Sequence, residues 1–486
     1  MLLLKIINGR RCRTSTNSLV VISDDKMQKY KYYFFSKNIK KYVLRGASMK
    51  KRSKYKQTTI KNMKFIDSDS LYNKFIDKNS VLVKIHDDID FSFVNDLCDE
   101  FYSDDGQNAF LPEIVFRVSF IQFFKNGLSD NEAVRQCKTN FEYRHFCNLA
   151  IDDELFDDCK LSRFRNELGA DRFKQIFDLL VQKIKDAGYI SENDAQYLDS
   201  FLFLADVKIV SINSLLSKSI QQVLKDLDKK DYDMEDDGKK RDFELSEDEQ
   251  KERFVFLVKK AQYVLAYAKN KKELPAHANK SVSALARIIK ERAEITKDEV
   301  RKKESGEEKG KIISASDNEA RMMGKKENDV KPSYKSHVAM TKNRFITCTD
   351  VTLATVYDGH QAFTTIRDLK NRGFEVPIAV GDTHFGDISL RENMAFENTQ
   401  IIAPYRKNQA MNSCLKEDIM IEAWAYNHTP EYKDHIKIRT YTEPKQGEMK
   451  NLHGMRRAKF RGLEKIRVQN YMSAIVANCK RLATAS

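Results

Sequence analysis

Two hydrophobic rhythms divide this chain. In the first third, apolar residues recur at helical spacing. Ile114, Val115, Val118, Ile121, Phe124 and Leu128 fall on one face and predict a helix, with Pro112 in its first turn and Gly127 at its end. Ser129-Asp-Asn-Glu132 has the spacing of a capping box for the next helix. Phe173, Ile176, Phe177, Leu180 and Ile184 predict another from Asp171 to Ala187, bracketed by Gly169 and Gly188. Leu161-Ser-Arg-Phe-Arg165 is a short basic stretch between them. Residues 63–190 therefore read as an all-α domain. Helix, turn, helix and the nearby Arg163 and Arg165 allow docking on DNA, and equally a plain bundle with surface arginines.

The second rhythm is of short apolar runs. Gln196-Tyr-Leu-Asp199-Ser-Phe-Leu-Phe-Leu reads as a strand. Residues 207–332 then interrupt the pattern. They predict a helix over Asn213–Leu227, a charged loop over 228–242 and a helix from a cap at Ser246-Glu-Asp-Glu249 to about Lys269. A further helix is expected over Ser281–Arg301, then a linker over 302–311 with no apolar anchor. Strand signals return at 333–340 and 344–356, followed by a helix (360–372), a strand (376–382), a helix (388–397) and a strand (399–402). Such alternation argues for an α/β fold, a mixed sheet flanked by helices, with chemistry at one end of its strands. Val468, Met472, Ile475, Cys479 and Leu482 give a last apolar helical face.

Charge changes the picture once it is located. The net charge is +14, but residues 1–62 carry 17 Lys or Arg against two Asp, a local balance of +15 that leaves the rest near −1. Lysine alternates with aromatics there, as in Lys29-Tyr-Lys-Tyr-Tyr-Phe-Phe, a composition able to grip nucleic acid. The plainer reading is a disordered extension, or upstream sequence joined to a start at Met49 or Met63, because the folded pattern begins only after Met63. A second basic segment, Lys450 to Arg481, holds nine Lys or Arg and one acid, Glu464. No apolar run is long enough to span a bilayer. The eight cysteines show no Cys-x-x-Cys spacing, which argues against a zinc site and for reduced thiols in a cytosolic protein.

The candidate chemistry is carried by acids. Asp199 lies within one apolar run, Asp382 ends another (Val-Pro-Ile-Ala-Val-Gly-Asp382), and Glu443 stands where Pro444 should open a helix. A lone carboxylate at a buried strand is costly to desolvate, and divalent cations shared among three acids would supply a reason for it. Asp206, Asp387 and Glu448 are read as structural acids, Asp387 as a helix cap and Glu448 at the surface.

In ordered series, these residues resemble the DDE transposases of bacterial insertion sequences, with a helical N-terminal domain before an RNase H-like catalytic core. Leu111-Pro-Glu-Ile, Gly127-Leu-Ser-Asp-Asn-Glu132 and Leu161-Ser-Arg-Phe-Arg165 resemble the N-terminal domain. Leu198-Asp199-Ser resembles the first catalytic strand. Asp317-Asn-Glu-Ala-Arg321, Lys335-Ser-His-Val-Ala, Asp358-Gly and Val380-Gly-Asp382 resemble the stretch that ends in the second acid. Arg439-x-x-x-Glu443, Lys450, His453-Gly-Met-Arg-Arg-Ala-Lys-Phe-Arg-Gly462 and Asn478-Cys-Lys-Arg481 resemble the third-acid region.

The resemblance implies a catalytic domain over 191–486 with a helical insertion at 207–332. Asp199, Asp382 and Glu443 would bind two Mg²⁺ (or Mn²⁺) ions and catalyse DNA cleavage and strand transfer. Arg439, Lys450, Arg456 and Arg457 would hold the DNA, joined by Arg163 and Arg165. The partners implied are double-stranded DNA and a second copy of the chain, in the bacterial cytoplasm and at the nucleoid when bound. The chain departs from the family at Asp382-Thr-His384-Phe385-Gly386, where Asp-Lys-Gly-Tyr is common, and at Ile436, where a tyrosine is expected. These departures leave a catalytically inactive DNA-binding protein from a decayed element as the alternative.

Overall fold

Pro112 opens the central helix because its fixed φ suits a first turn and its missing N–H would have no partner there. That helix belongs to the leading set α1 (Ser68–Phe75), α2 (Val81–Asp88), α3 (Phe93–Cys98), α4 (Pro112–Phe124), α5 (Asp130–Thr139), α6 (Phe141–Phe146) and α7 (Cys159–Asp186). The computed structural model describes residues 68–102, 109–228, 242–271, 273–296, 299–303, 310–324, 329–405 and 418–485. The basic segment 1–62 lies outside the described residues, as do most of the expected charged loop (228–242) and linker (302–311).

α4 is buried on nearly every side, which is why it is apolar nearly all round. Ser129 caps α5 by accepting the Glu132 amide, but the Glu132 carboxylate turns to Arg135 instead of closing the box. The basic stretch Leu161–Arg165 is not a link between helices. It lies inside α7, which kinks at Gly169.

β1 (Gln196–Leu204) leads into the insertion, formed by α8 (Ile212–Asp226), α9 (Glu247–Lys269), α10 (Ala276–Arg292) and the hairpin β2 (Ala293–Ile295) with β3 (Val300–Lys302). The Ser246–Glu249 capping box forms in full at α9. The three helices enclose a core of their own, including Leu216, Ile220, Val223, Val258 and Leu285. The helix expected to reach Arg301 stops at Arg292. Ile295, Thr296 and Val300 are β-branched, and Thr296 closes the hairpin turn on Glu299.

The chain continues as β4 (Arg321–Met323), β5 (Lys331–Met340), β6 (Ile346–Leu353), α11 (Asp358–Asn371), β7 (Ile378–Val380), α12 (Ile388–Phe396), β8 (Gln400–Ile402), α13 (Asp418–Tyr426), α14 (Pro430–Arg439), α15 (Thr442–Leu452) and α16 (Leu463–Ala485). One sheet runs β6-β5-β1-β7-β8, with β4 sharing the β6 edge of β5. β6, β5 and β1 are antiparallel, and β7 and β8 run parallel to β1. This is the mixed sheet of an RNase H-like fold.

α16 packs against α7, α2, α4 and β6. Its buried amides bond to the strands: Asn470 to Ser336 and Thr349, each at 2.8 Å, and Asn478 to both backbone groups of Ile346. One hydrophobic cluster therefore runs from the leading helices into the sheet.

Candidate active site

The parallel pairing of β1 with β7 sets the first relationship. Gln196 lies opposite Ala379 and Tyr197 opposite Val380. β7 stops there, and the same register carried two residues further brings Asp199 level with Asp382. Gly381 lets the chain turn at this point, because a Cβ there would lie 2.4 Å from the Phe385 ring. Asp382 then accepts the His384 amide at 2.8 Å, and its other oxygen lies 3.3 Å from His384 Nδ1.

The third arm arrives from the end of α14. Thr442, the first residue of α15, donates its hydroxyl to Asp199 Oδ2 at 2.7 Å. The Ser200 amide bonds Oδ1 at 2.8 Å, and Arg439 Nη1 stands 3.9 Å from Oδ2. Arg439 Nε is buried without a hydrogen-bond partner among the described residues. Glu443 follows in the first turn of α15, where the helix dipole favours an acid, and it is exposed.

Burial pushes the Asp199 carboxyl above its ordinary range. Thr442, Ser200 and Arg439 draw it back, and Asp382 pushes it up again. The Asp199 side chain is 16% exposed and that of Asp382 35%. Among the described residues, three metal-type ligand atoms come within 4.8 Å of one another only at Asp157, Asp158 and Cys159, at the start of α7. Asp199, Asp382 and Glu443 stand further apart than that. Their donor set is nonetheless all carboxylate oxygen, and Asp199 is a half-compensated charge next to another acid. Both features fit hard divalent cations of the Mg²⁺ or Mn²⁺ type.

The basic residues after Glu443 ascend along β1 in order. Lys450 Nζ sits 4.8 Å from the Phe201 ring centre. The Arg456 carbonyl accepts the Leu204 amide, and Ala458 donates back to the Leu204 carbonyl, so the segment docks on the end of β1. Arg456 and Arg457 are exposed there. Arg457 and Arg461 each lie 3.2 Å from Asp206, which keeps that acid structural as expected. Asp387 caps α12 through the Leu390 amide.

Two expectations change. Arg165 is buried, ion-paired to Asp130 and stacked over Phe460, so it ties helices to the C-terminal loop and presents nothing to a phosphate. Arg163, two residues away, is exposed. Glu448 is no surface acid: it lies 2.7 Å from Lys445 Nζ and 3.2 Å from the fully buried His453. Burial opposes its charge, but those two partners hold its carboxyl down at about 2. Sequence reasoning also missed Thr442, whose one signal was its place immediately before Glu443.

A transposase-domain family model matches residues 70–167, and a transposase DDE-domain model matches residues 299–479. Together they cover more than half of the chain. Asp382 and Glu443 fall within the second stretch, whereas Asp199 lies outside both, on β1. Neither the curated proteins nor the solved structures contain a match. No helix among the described residues is long and apolar enough to cross a membrane. DDE transposase domains act on DNA and generally use divalent metals. By its paired matches and its sheet, this chain belongs to the DDE transposases of insertion sequences.

Proposed function

We propose that this transposase cuts the ends of its mobile element and joins them to a target, with Asp199, Asp382 and Glu443 as the metal-binding set. The observation that carries the reading is the convergence of three separate elements on Asp199. The parallel register supplies Asp382, and the Thr442 hydroxyl pins the start of α15, with Glu443, to the same carboxylate. Two divalent cations, when bound, would supply the charge that activates the attacking oxygen and steadies the leaving one.

In cleavage, water attacks the phosphorus, the bond to the 3′ oxygen breaks, and that oxygen leaves as a 3′-hydroxyl. In joining, the 3′-hydroxyl attacks a target phosphodiester, whose own 3′ oxygen leaves. Arg439 and Thr442 hold Asp199 in place. Lys450, Arg456 and Arg457 line the path of the DNA backbone. The helical region 63–190, with Arg163 exposed, takes the recognition role, and 191–486 the catalytic one, with 207–332 as an insertion. Handling two ends at once calls for a pair of protomers in the DNA complex, acting in the bacterial cytoplasm on nucleoid DNA.

The test is nicking of an element-end duplex with Mg²⁺ or Mn²⁺. Asp199→Asn, Asp382→Asn and Glu443→Gln should each abolish cutting while DNA binding and the circular dichroism spectrum persist. Cutting retained by purified Asp199→Asn protein would overturn the proposal, as would wild-type protein that binds the DNA and leaves it intact.

A further inference from the structure

Beyond the end of β1 the insertion and the C-terminal loop enclose an open cleft of about 530 Å³. One wall is the outer face of α8, where Lys218, Gln221, Gln222 and Lys225 recur at helical spacing and are exposed. The opposite face of α8 is locked into the insertion's own core by Leu216, Ile220 and Val223. Residues 206–208 and 314–316, Val210 and the pair Arg457 and Arg461 complete the described lining. Among the described lining residues five cations thus face one acid, Asp206, which is already shared by the two arginines. Lys208, Lys218 and Lys225 make no ion pair with a described residue.

The geometry points to a second DNA-binding site here: the cleft holds the phosphodiester backbone of duplex DNA at a distance from the carboxylates, and the insertion acts as a clamp on that duplex. This rests on the reading of the protein as a transposase that binds element-end DNA. The cleft offers ammonium, guanidinium, amide and hydroxyl donors. Among the described residues it has no aromatic ring on which a base could stack, which suits reading of backbone and not sequence. Its shape is open, which suits a continuous polymer more than an enclosed small anion.

Its position fits as well. Asp206 follows Asp199 by seven residues, so at about 3.3 Å per residue the cleft lies within roughly 23 Å of the acids. A duplex rises about 3.4 Å per base pair, which places the clamp at most about seven base pairs from the reacting bond. Lys450, over Phe201, and Arg456, whose carbonyl bonds the Leu204 amide, stand between the two.

The experiment uses the full chain carrying Asp199→Asn, to prevent cutting, and fluorescence anisotropy with 12- and 30-base-pair duplexes over a series of KCl concentrations. Lys208→Ala/Lys218→Ala/Lys225→Ala should weaken binding of the longer duplex and reduce the slope of log K against log salt by about two to three, at about 0.9 per lost contact. The shorter duplex should be affected less. Lys251→Ala/Lys259→Ala, which removes exposed charge from α9 outside the cleft, should leave the slope unchanged. An unchanged slope in the cleft variant, or an equal fall in both variants, overturns the inference. Because binding is read without cutting, wild-type protein that fails to nick DNA would sink the catalytic reading and leave this one standing.

Discussion

The Thr442 hydroxyl reaches a carboxylate oxygen of Asp199 at 2.7 Å, joining the start of α15 to the middle of β1 across 243 positions of sequence. The same hydroxyl lies 2.9 Å from the Arg439 carbonyl. One small side chain therefore sets the approach of two elements, the end of α14 with Arg439 and the first turn of α15 with Glu443.

Thr442→Val keeps the volume and removes the donor. Asp199 would lose its closest side-chain partner while staying buried, and Glu443 would lose the tie that fixes its helix. A hydrogen bond to a charged group contributes about 1.5–3 kcal/mol, so cutting should fall roughly 10- to 100-fold. Thr442→Ser should recover most of it. The expected readout is a fall in kcat for nicking with little change in DNA affinity. Equal loss in the Val and Ser variants would mean that the hydroxyl alone does not account for the effect.

Glu448 makes a second prediction, on stability. Its carboxyl is lowered from an ordinary 4.5 to about 2 by His453 and Lys445, against the effect of burial. A depressed acid adds stability above its unfolded value and loses it as the pH falls through the folded one. Glu448→Gln should therefore cost about 2 kcal/mol at pH 7, partly because Lys445, whose pKa burial already lowers, is left unpaired. The gap between variant and wild type should narrow steadily below pH 4.5. Urea unfolding at a series of pH values checks this, and a gap that holds constant to pH 3 contradicts it.

Much of the fold was legible because its signals are local. Pro112, the Ser246–Glu249 box and the β-branched runs act within a few residues. The three acids could be singled out from their apolar settings and the resemblance. What could not be read were contacts made at long range. Arg165 looks like any surface arginine until Asp130 and Phe460 close over it. Glu448 looks solvated until His453 is buried beside it. Several motif residues prove to be clamps: Lys335 pairs with Asp358 at 3.2 Å, and Glu319 accepts the Leu463 amide at the start of α16.

The meeting of Gly454 with Gly127 is another such clamp, between the basic loop and the end of α4. Both glycines have positive φ, at 78° and 71°. A Cβ on Gly454 would lie 3.1 Å from the Gly127 Cα, with no flexible side chain to yield. Gly454→Ala adds left-handed strain of about 1–2 kcal/mol to that contact. Thermal unfolding should show Tm lower by roughly 1–2 °C. A Tm equal to that of wild type would mean that the loop moves away without cost.

Lys450 allows charge and position to be separated. Its ammonium lies over the face of Phe201, two residues along β1 from Asp199. Lys450→Met keeps the apolar stem over the ring and deletes the charge. If the ammonium contacts a phosphate next to the reacting bond, this variant should weaken binding alike for every DNA sequence. It should also reduce the salt slope by about one, a single lost contact. Lys450→Arg should restore the slope, since guanidinium stacks on an aromatic face at least as well, but the altered reach should leave cutting below wild type. A Met variant with an unchanged slope would show that Lys450 only packs on β1, and the file of cations from Arg439 to Arg457 would be broken at its centre.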